Sequence, residues 1–532
     1  MATAPLTGRH WIAGIGVPAV PDLFRATCAE TGASLEPCFG EATNAQITAA
    51  CVAAERAFDD YRRVAPEVRA ALLEAIADEM IAVDEHLLER CHQETALGRE
   101  RLLFERQRTI NQARLFAQVV RDGSWAEPRL DHADVESNAP DCRSVWLPIG
   151  PVAVFGASNF PFAISVVGND TIAALAAGCS VVVKAHPGHP GTCEILAGCL
   201  NRAIARCGLS PGLFSLLHGA GHEVGQRLVQ DPRIQAVGFT GSLAGGRALF
   251  DAVSRRPQLI PVYAEMGSVN PIFFLPQALQ ENRWPQWVAP LVGSITAGSG
   301  QMCTQPGLVL GTTDPAWHEL RRSVSDKVSA HNYTLLHPGI AAAFRRSTAH
   351  RAAQDWLSEP NAAVVAGESA SPCQVAGVVF QTSAAELLRN SELEEEVFGP
   401  TTLFVDCDSV DQMLAYARQM KGSLTASVFA GPTESESARQ LVDVLQTKVG
   451  RIICNGFPTG VQVNHAMMHG GPYPAAIGSF TSIGTGSIKR FARSVCFQNF
   501  PERLLPESLR DQIGKSTLRL IDGKFVAGST AP

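Results

Sequence analysis

The sequence predicts an α/β protein built on an open, mostly parallel sheet, and three observations carry that reading. Short apolar runs alternate with segments of helical period: Val152-Ala153-Val154-Phe155-Gly156, Ser180-Val181-Val182-Val183-Lys184, Phe214-Ser215-Leu216-Leu217-His218 and Ala236-Val237-Gly238-Phe239-Thr240. The runs ending at His218 and Thr240 pass straight into glycine-rich turns that open helices. At 532 residues the chain has room for roughly three domains of about 150 residues each.

Taken in order, residues 44–120 have a helical pattern, with apolar positions three and four apart in Ile47-Thr48-Ala49-Ala50-Cys51-Val52 and in Ala70-Ala71-Leu72-Leu73-Glu74-Ala75-Ile76-Ala77. These are scaffold helices. The last of them, predicted over 102–120, carries Arg106, Arg108 and Arg114, which read as a solvated basic face. Residues 122–148 turn polar and irregular, as a protruding hairpin or linker does. The strand and helix alternation then runs from 152 to 240, with helices predicted over 172–177 and 194–204. The run His186-Pro187-Gly188-His189-Pro190 is expected to delay the second of these. A second α/β region spans about 270–455, with strands at Pro271-Ile272-Phe273-Phe274-Leu275, Leu308-Val309-Leu310 and Thr402-Leu403-Phe404-Val405. From Gly456 the tail is rich in Gly, Pro and His, and it includes a strand-like Thr517-Leu518-Arg519-Leu520-Ile521.

Composition narrows the function class. With 46% hydrophobic residues, 18% charged residues and a net charge of -7, the chain lacks the clustered Lys and Arg of a nucleic-acid or membrane-surface binder. Its fourteen cysteines are scattered, without a Cys-x-x-Cys pair, which fits a reducing compartment. Residues 1–25 lack the features of a secretory signal, and no apolar run reaches about 18 residues. A cytoplasmic protein without membrane insertion is expected.

The candidate chemistry centres on Ala297-Gly298-Ser299-Gly300-Gln301-Met302-Cys303-Thr304. Cys303 follows two glycines among small, uncharged neighbours, where backbone amides are expected to crowd the sulfur and favour a thiolate. Most cysteines are small buried hydrophobes, so Cys303 needs partners. Glu265, in Ala264-Glu265-Met266-Gly267-Ser268, is one candidate, although an isolated glutamate is usually solvated. Asn159, just past a strand end, is positioned to donate its amide to an oxyanion or simply to form a turn. Lys184 closes a buried strand, where open α/β sheets bind ligands or where a lysine snorkels to solvent. The turns at 219–225 and 240–246 offer amides at helix N-termini that suit a phosphate, although neither is the G-x-G-x-x-G fingerprint.

Together, Phe155-Gly156-Ala157-Ser158-Asn159-Phe160-Pro161, Lys184, Phe239-Thr240-Gly241-Ser242, Glu265-Met266-Gly267, Gly300-Gln301-Met302-Cys303 and Glu394-Glu395-Glu396-Val397-Phe398-Gly399-Pro400 resemble, in order, the motifs of the aldehyde dehydrogenase superfamily. The resemblance covers about 44–491. It is strongest to the branch holding 2-oxoglutarate semialdehyde (2,5-dioxovalerate) dehydrogenases and certain NADP-dependent fatty-aldehyde dehydrogenases. That likeness rests on Ala157-Ser158-Asn159, Lys184-Ala185-His186-Pro187, Asn455-Gly456-Phe457-Pro458-Thr459-Gly460 and His469-Gly470-Gly471-Pro472-Tyr473-Pro474.

The resemblance implies a fold of three parts: a parallel-sheet cofactor domain (1–123 and 148–264), an α/β catalytic domain (265–482), and an oligomerisation hairpin and tail (124–147 and 483–532). It implies that Cys303 attacks an aldehyde and that Asn159 with the Cys303 N–H holds the oxyanion. Glu265 then activates the water that hydrolyses a thioester. For the cofactor it implies Lys184 on ribose hydroxyls, Ser242 on pyrophosphate near Gly225, Gly241 and Gly246, Glu396 on the nicotinamide ribose and Phe398 packed nearby, with no metal. A homodimer or homotetramer is implied as well.

Pro187 stands where many NAD-specific members carry a ribose-binding glutamate, so NADP is expected in preference to NAD, with NAD use possible and His186 or His189 available to add positive charge. The phrase Glu265-Met266-Gly267-Ser268-Val269-Asn270-Pro271 also departs from the family's pattern. The substrate reading runs from 2,5-dioxopentanoate to medium- and long-chain fatty aldehydes. Arg106 and Arg108 are candidates for meeting a distal carboxylate, with the solvated face the preferred reading. A coenzyme A-acylating enzyme is disfavoured by Glu265, and a non-catalytic nucleotide-binding protein by the whole set.

Overall fold

The computed structural model describes residues 5–19, 23–357, 371–513 and 517–527, so the end of the expected tail, 528–532, lies outside the described residues. An eight-stranded sheet runs in the order Ile15–Val17, His10–Ile12, Phe214–Leu217, Val181–Lys184, Val152–Phe155, Ala236–Thr240, Val262–Glu265, Ala476–Ile477. The five strands from Phe214–Leu217 to Val262–Glu265 are parallel. Helices cover both faces, which is why Val181, Val182 and Val183 are all buried instead of alternating. Each contributes roughly 1.5 kcal/mol of burial.

Flanking this parallel core are antiparallel strands that the sequence did not announce. His10–Ile12 and Ile15–Val17 are three residues each and Ala476–Ile477 only two, too short for an alternating pattern to stand out.

Chain order makes a switch at Val152–Phe155: the next strand, Val181–Lys184, lies on one side of it and Ala236–Thr240 on the other. Ligands of open α/β sheets bind outside the carboxyl ends of strands at such a point. Asn159, Lys184, Ser242 and Glu265 all lie at or just past those ends.

The scaffold helices are Asn44–Tyr61, Pro66–Ala82, Asp84–Thr95 and Arg99–Asp122. The first is set by a reciprocal capping box between Thr43 and Gln46. The helix expected at 194–204 in fact begins at Pro190 and runs to Arg206. Proline at the first helical position costs nothing because its missing N–H needs no partner there. Glu94 accepts from the Gly191 and Thr192 amides of that first turn at 2.8 and 2.9 Å.

A second sheet of six parallel strands runs Val378–Ser383, Thr401–Cys407, Leu308–Thr312, Ile272–Phe274, Ser423–Phe429, Val449–Cys454. It is again covered on both faces by apolar clusters. A third, five-stranded sheet joins Ala492–Gln498, Cys142–Pro148, Arg129–Asp131, Leu518–Ile521 and Lys524–Ala527. Among the described residues no helix is long and apolar enough to cross a membrane.

Candidate active site

Cys303 is presented by a loop that only particular backbone conformations allow. Gly298, Ser299 and Gly300 take φ of 56°, 58° and 73°, in the left-handed region. A Cβ on Gly300 would overlap the Gly399 carbonyl, so glycine there permits the close approach of the Cys303 loop to Gly399-Pro400. Asn270 fixes the other side. Its side-chain N–H groups donate to the Cys303 and Gln305 carbonyls at 2.8 and 2.9 Å, and its oxygen accepts from Ser268 and Thr425. Asn270 itself sits at φ 45° and is fully buried. The unusual phrase 265–271 therefore supplies a clamp for the Cys303 loop.

Asn159 and Glu265 converge on that loop. Asn159, 8% exposed, donates its amide to the Gln301 carbonyl at 2.9 Å. Its own segment is held from the Arg99–Asp122 helix: Glu105 accepts from the Phe162 and Ala163 amides at 2.8 and 3.0 Å, and Arg101 pairs with Glu105 at 2.7 Å. Glu265, 3% exposed, ends the parallel strand Val262–Glu265.

The residue that sequence reasoning missed is His469. Fully buried, it places Nε2 3.3 Å from Cys303 Sγ and 2.9 Å from Glu265 Oε1, bridging the two. The other carboxylate oxygen accepts from Ser482 Oγ, which also donates to the His469 carbonyl. His469 lies 166 residues from Cys303, and the run from His469 to Pro474 carries a likeness without giving the imidazole a role, so only tertiary structure reveals the contact. The three donor atoms fall within 4.8 Å of one another, a sulfur, nitrogen and oxygen set of a kind thiophilic divalent cations also accept.

Electrostatics at this cluster correct one expectation. Burial raises the Cys303 thiol well above its usual range, and the adjacent Glu265 carboxylate adds to the effect. The resting sulfur is thus a neutral thiol and not a thiolate favoured by nearby amides. Burial pushes the Glu265 carboxyl up too, but the His469 and Ser482 contacts outweigh it and hold the pKa below its usual value. A proton acceptor thus stands beside a protonated nucleophile.

The cofactor candidates divide between two places. Glu396 lies against Gly267, where a Cβ would overlap its carboxylate, and burial with the Glu265 charge raises it to about 7 despite the Ser268 amide. Phe398 sits half-buried two residues on. Glu396 joins the Cys303 group through its charge interactions with Glu265 and Cys303. Lys184, Gly225, Gly241, Ser242 and Gly246 line the strand ends of the first sheet. Burial lowers Lys184 to about 8. Ser242 caps the helix Leu243–Ser254 by accepting from Gly245 N at 3.1 Å. The Leu243 and Ala244 amides have no partner among the described residues, which suits a pyrophosphate at a helix N-terminus. Gly241, Gly246 and Gly225 are glycines for packing, since a Cβ would press on Phe239, on Met266 and on Phe155 respectively.

Two further expectations are corrected. The turn after Leu217 is not an open anion cradle, because Glu41 already accepts from the Ala220 and Gly221 amides at 2.6 and 2.9 Å. The other concerns His186, which burial, together with His189, His337 and Lys184, keeps neutral. His189 does offer positive charge: burial works against it, but its contacts with Cys193 Sγ and the Ala157 carbonyl and the nearby Glu94 outweigh that and raise its pKa to about 9.

A half-buried cysteine that shares an imidazole nitrogen with a buried carboxylate, at the join of two parallel sheets whose strand ends suit a nucleotide, defines a cysteine-dependent enzyme that works on a cofactor. The chain belongs to the aldehyde dehydrogenase family, which it matches over residues 37–493. It is an NAD(P)-dependent oxidoreductase acting on aldehydes. It is 43% identical over 526 residues, 98% of this chain and 99% of the relative, to alpha-ketoglutaric semialdehyde dehydrogenase 2 of Azospirillum brasilense. It is 40% identical over 493 residues, 91% and 92% of the two chains, to an alpha-ketoglutaric semialdehyde dehydrogenase of Acinetobacter baylyi. Its fold is similar to the crystal structure of betaine aldehyde dehydrogenase from Staphylococcus aureus in complex with NAD+, with a TM-score of 0.80 and 18% identity over 93% of this chain and 96% of that one.

Proposed function

We propose that the protein oxidises 2-oxoglutarate semialdehyde (2,5-dioxopentanoate) to 2-oxoglutarate. The observation that carries the chemistry is the contact chain from Cys303 Sγ through His469 Nε2 to Glu265 Oε1 at 3.3 and 2.9 Å. The similarity to two enzymes named for this aldehyde supports the substrate. The thiol proton passes to the His469–Glu265 pair as sulfur attacks the aldehyde carbon, and the Asn159 amide with the Cys303 N–H receives the oxyanion. Bound NAD(P) supplies the hydride acceptor that oxidation requires. Glu265 then draws a proton from water attacking the resulting Cys303 thioester, releasing the carboxylate. Retention of a buried, ionised Glu265 favours this hydrolysis over transfer to coenzyme A, and the arginines beside Phe160 favour an anionic substrate over a fatty aldehyde. Incubation with 2,5-dioxopentanoate and NAD(P)+ should yield reduced cofactor and 2-oxoglutarate without coenzyme A. An absolute requirement for coenzyme A would refute the acid-forming reading.

For the cofactor, we assign Lys184 to ribose hydroxyls, the 241–246 turn to pyrophosphate and Glu396 to the nicotinamide ribose, with Gly225 and Phe398 packed alongside. NADP is the preferred form, because Pro187 puts no carboxylate on its own turn and Glu41 is already compensated by two amide donors. Pro187→Glu should move the ratio of kcat/KM values toward NAD by about tenfold or more, one decade per roughly 1.4 kcal/mol. A wild type that strictly required NAD would contradict this.

The first sheet is then the cofactor domain, the second the catalytic domain, and the third, from 124–147 and 483–532, the assembly element. The third sheet ends on one side in Ala492–Gln498, whose side chains are largely exposed, and on the other in Lys524–Ala527 with Phe525 76% exposed. A homodimer or a tetramer of dimers should sediment well above the 56.7 kDa monomer at micromolar concentration; a monomer alone would contradict the assignment. Fourteen free cysteines support the cytoplasm as its compartment.

A further inference from the structure

The cations of the Arg99–Asp122 helix have different fates. Arg121 is paired with Glu74, Arg114 lies 3.6 Å from Asp78, and Arg101 pairs with Glu105. Arg108 differs. Its Nη1 is buried without a hydrogen-bond partner among the described residues. The guanidinium carbon sits 5.7 Å from the centre of the Phe160 ring, and Phe160 is the residue next to Asn159. Arg101, Glu105 and Arg108 fall at i, i+4 and i+7, so one face of the helix looks onto the segment 159–163. On that face Glu105 is spent on Arg101 and on two backbone amides. Gln112, one turn beyond Arg108, is buried with neither amide atom paired, so it gives the guanidinium no substitute partner. The expectation of a solvated basic face thus fails at Arg108.

An arginine stays charged at neutral pH even when burial lowers its pKa, and burial does lower that of Arg108. Glu105 offsets part of its charge at a distance, but a partly desolvated guanidinium whose Nη1 has no hydrogen-bond partner among the described residues is costly to keep beside the reacting centre unless something pairs with it. We propose that Arg108 is the receptor for the carboxylate at the far end of the substrate, binding aldehydes that carry a terminal acid group and turning the aldehyde carbon toward Cys303. This rests on the substrate reading above. A planar guanidinium matches a carboxylate as a two-pronged donor, and Phe160 supports it by a cation–π contact. Two other cations stand close to the site: Arg101 is held by Glu105 and the Asn159 carbonyl, and Arg451 already donates Nη1 and Nη2 to the Gly460 and Pro458 carbonyls, which leaves both less able to take this part.

Arg108→Met keeps length and apolar contact while removing the charge, and Arg108→Lys keeps charge without the fork. The measurement is kcat/KM for 2,5-dioxopentanoate and for pentanal, an uncharged aldehyde of equal length, together with calorimetric binding of 2-oxoglutarate. Arg108→Met should lower the ratio of dioxopentanoate to pentanal kcat/KM by about tenfold or more, chiefly through KM, and should lose 2-oxoglutarate binding; Arg108→Lys should recover part of both. An equal loss on both aldehydes would show a packing role over Phe160 and overturn the proposal. So would an unchanged ratio. If the wild type ignores 2,5-dioxopentanoate yet favours another acid-bearing aldehyde, the substrate reading fails, and the same ratio taken with that aldehyde supports or overturns the role of Arg108. A wild type that prefers pentanal to every acid-bearing aldehyde overturns both.

Discussion

Cys303→Ala is expected to abolish aldehyde oxidation while leaving cofactor binding intact. Loss of a covalent nucleophile removes the intermediate itself, so turnover should fall by about 10⁴-fold or more, beyond the reach of any positioning defect. Cofactor affinity should hold, because the expected ribose and pyrophosphate contacts lie at Lys184 and the 241–246 turn on the first sheet. Titration of NADP+ against protein fluorescence checks that half, and a steady-state assay checks the other. The remaining thirteen cysteines serve as controls. Seven of them are buried, including Cys51, Cys91 and Cys407, and pack as small apolar groups. Alanine at exposed Cys454 or Cys496 should leave turnover unchanged. A Cys303→Ala enzyme with full activity would remove the nucleophile from the account.

Glu265→Gln should separate the two halves of the reaction. His469 Nε2 remains 3.3 Å from the sulfur, so the thiol can still lose its proton and attack. One equivalent of reduced cofactor per site should appear as a burst. Hydrolysis then lacks its base, and the steady-state rate should drop by roughly 10²–10⁴-fold, the usual contribution of a positioned general base. An unchanged steady-state rate would mean that another group, with His469 the nearest, activates the water.

The parallel core was legible because its strands are buried on both faces, so that Val181-Val182-Val183 reads as one apolar run, and because glycine turns follow the strands directly. Cys303, Glu265 and Asn159 were legible for a related reason. Each lies in a short segment whose local residues, glycines above all, are dictated by backbone geometry, as at Gly300 against Gly399. His469 and Arg108 were opaque in the same terms. Nothing beside His469 in sequence distinguishes a bridging imidazole from one that caps a loop, and its partners are 166 and 204 residues away. Arg108 shares a helix with arginines that meet surface acids, and helical period cannot say which of them is covered. The direction of the Cys303 pKa was misjudged because glycines and small neighbours suggested amides around the sulfur, while desolvation of the thiol and then the adjacent Glu265 carboxylate act in the opposite sense.

The most direct test of a Cys303 thioester that Glu265 hydrolyses is peptide mass spectrometry of Glu265→Gln protein quenched after mixing with 2,5-dioxopentanoate and NADP+. The acyl group of the substrate should be found on the Cys303 peptide, in amounts matching the burst of reduced cofactor and absent when cofactor is omitted. A burst of the same size with Cys303 unmodified, or with the acyl group on another residue, would contradict the account.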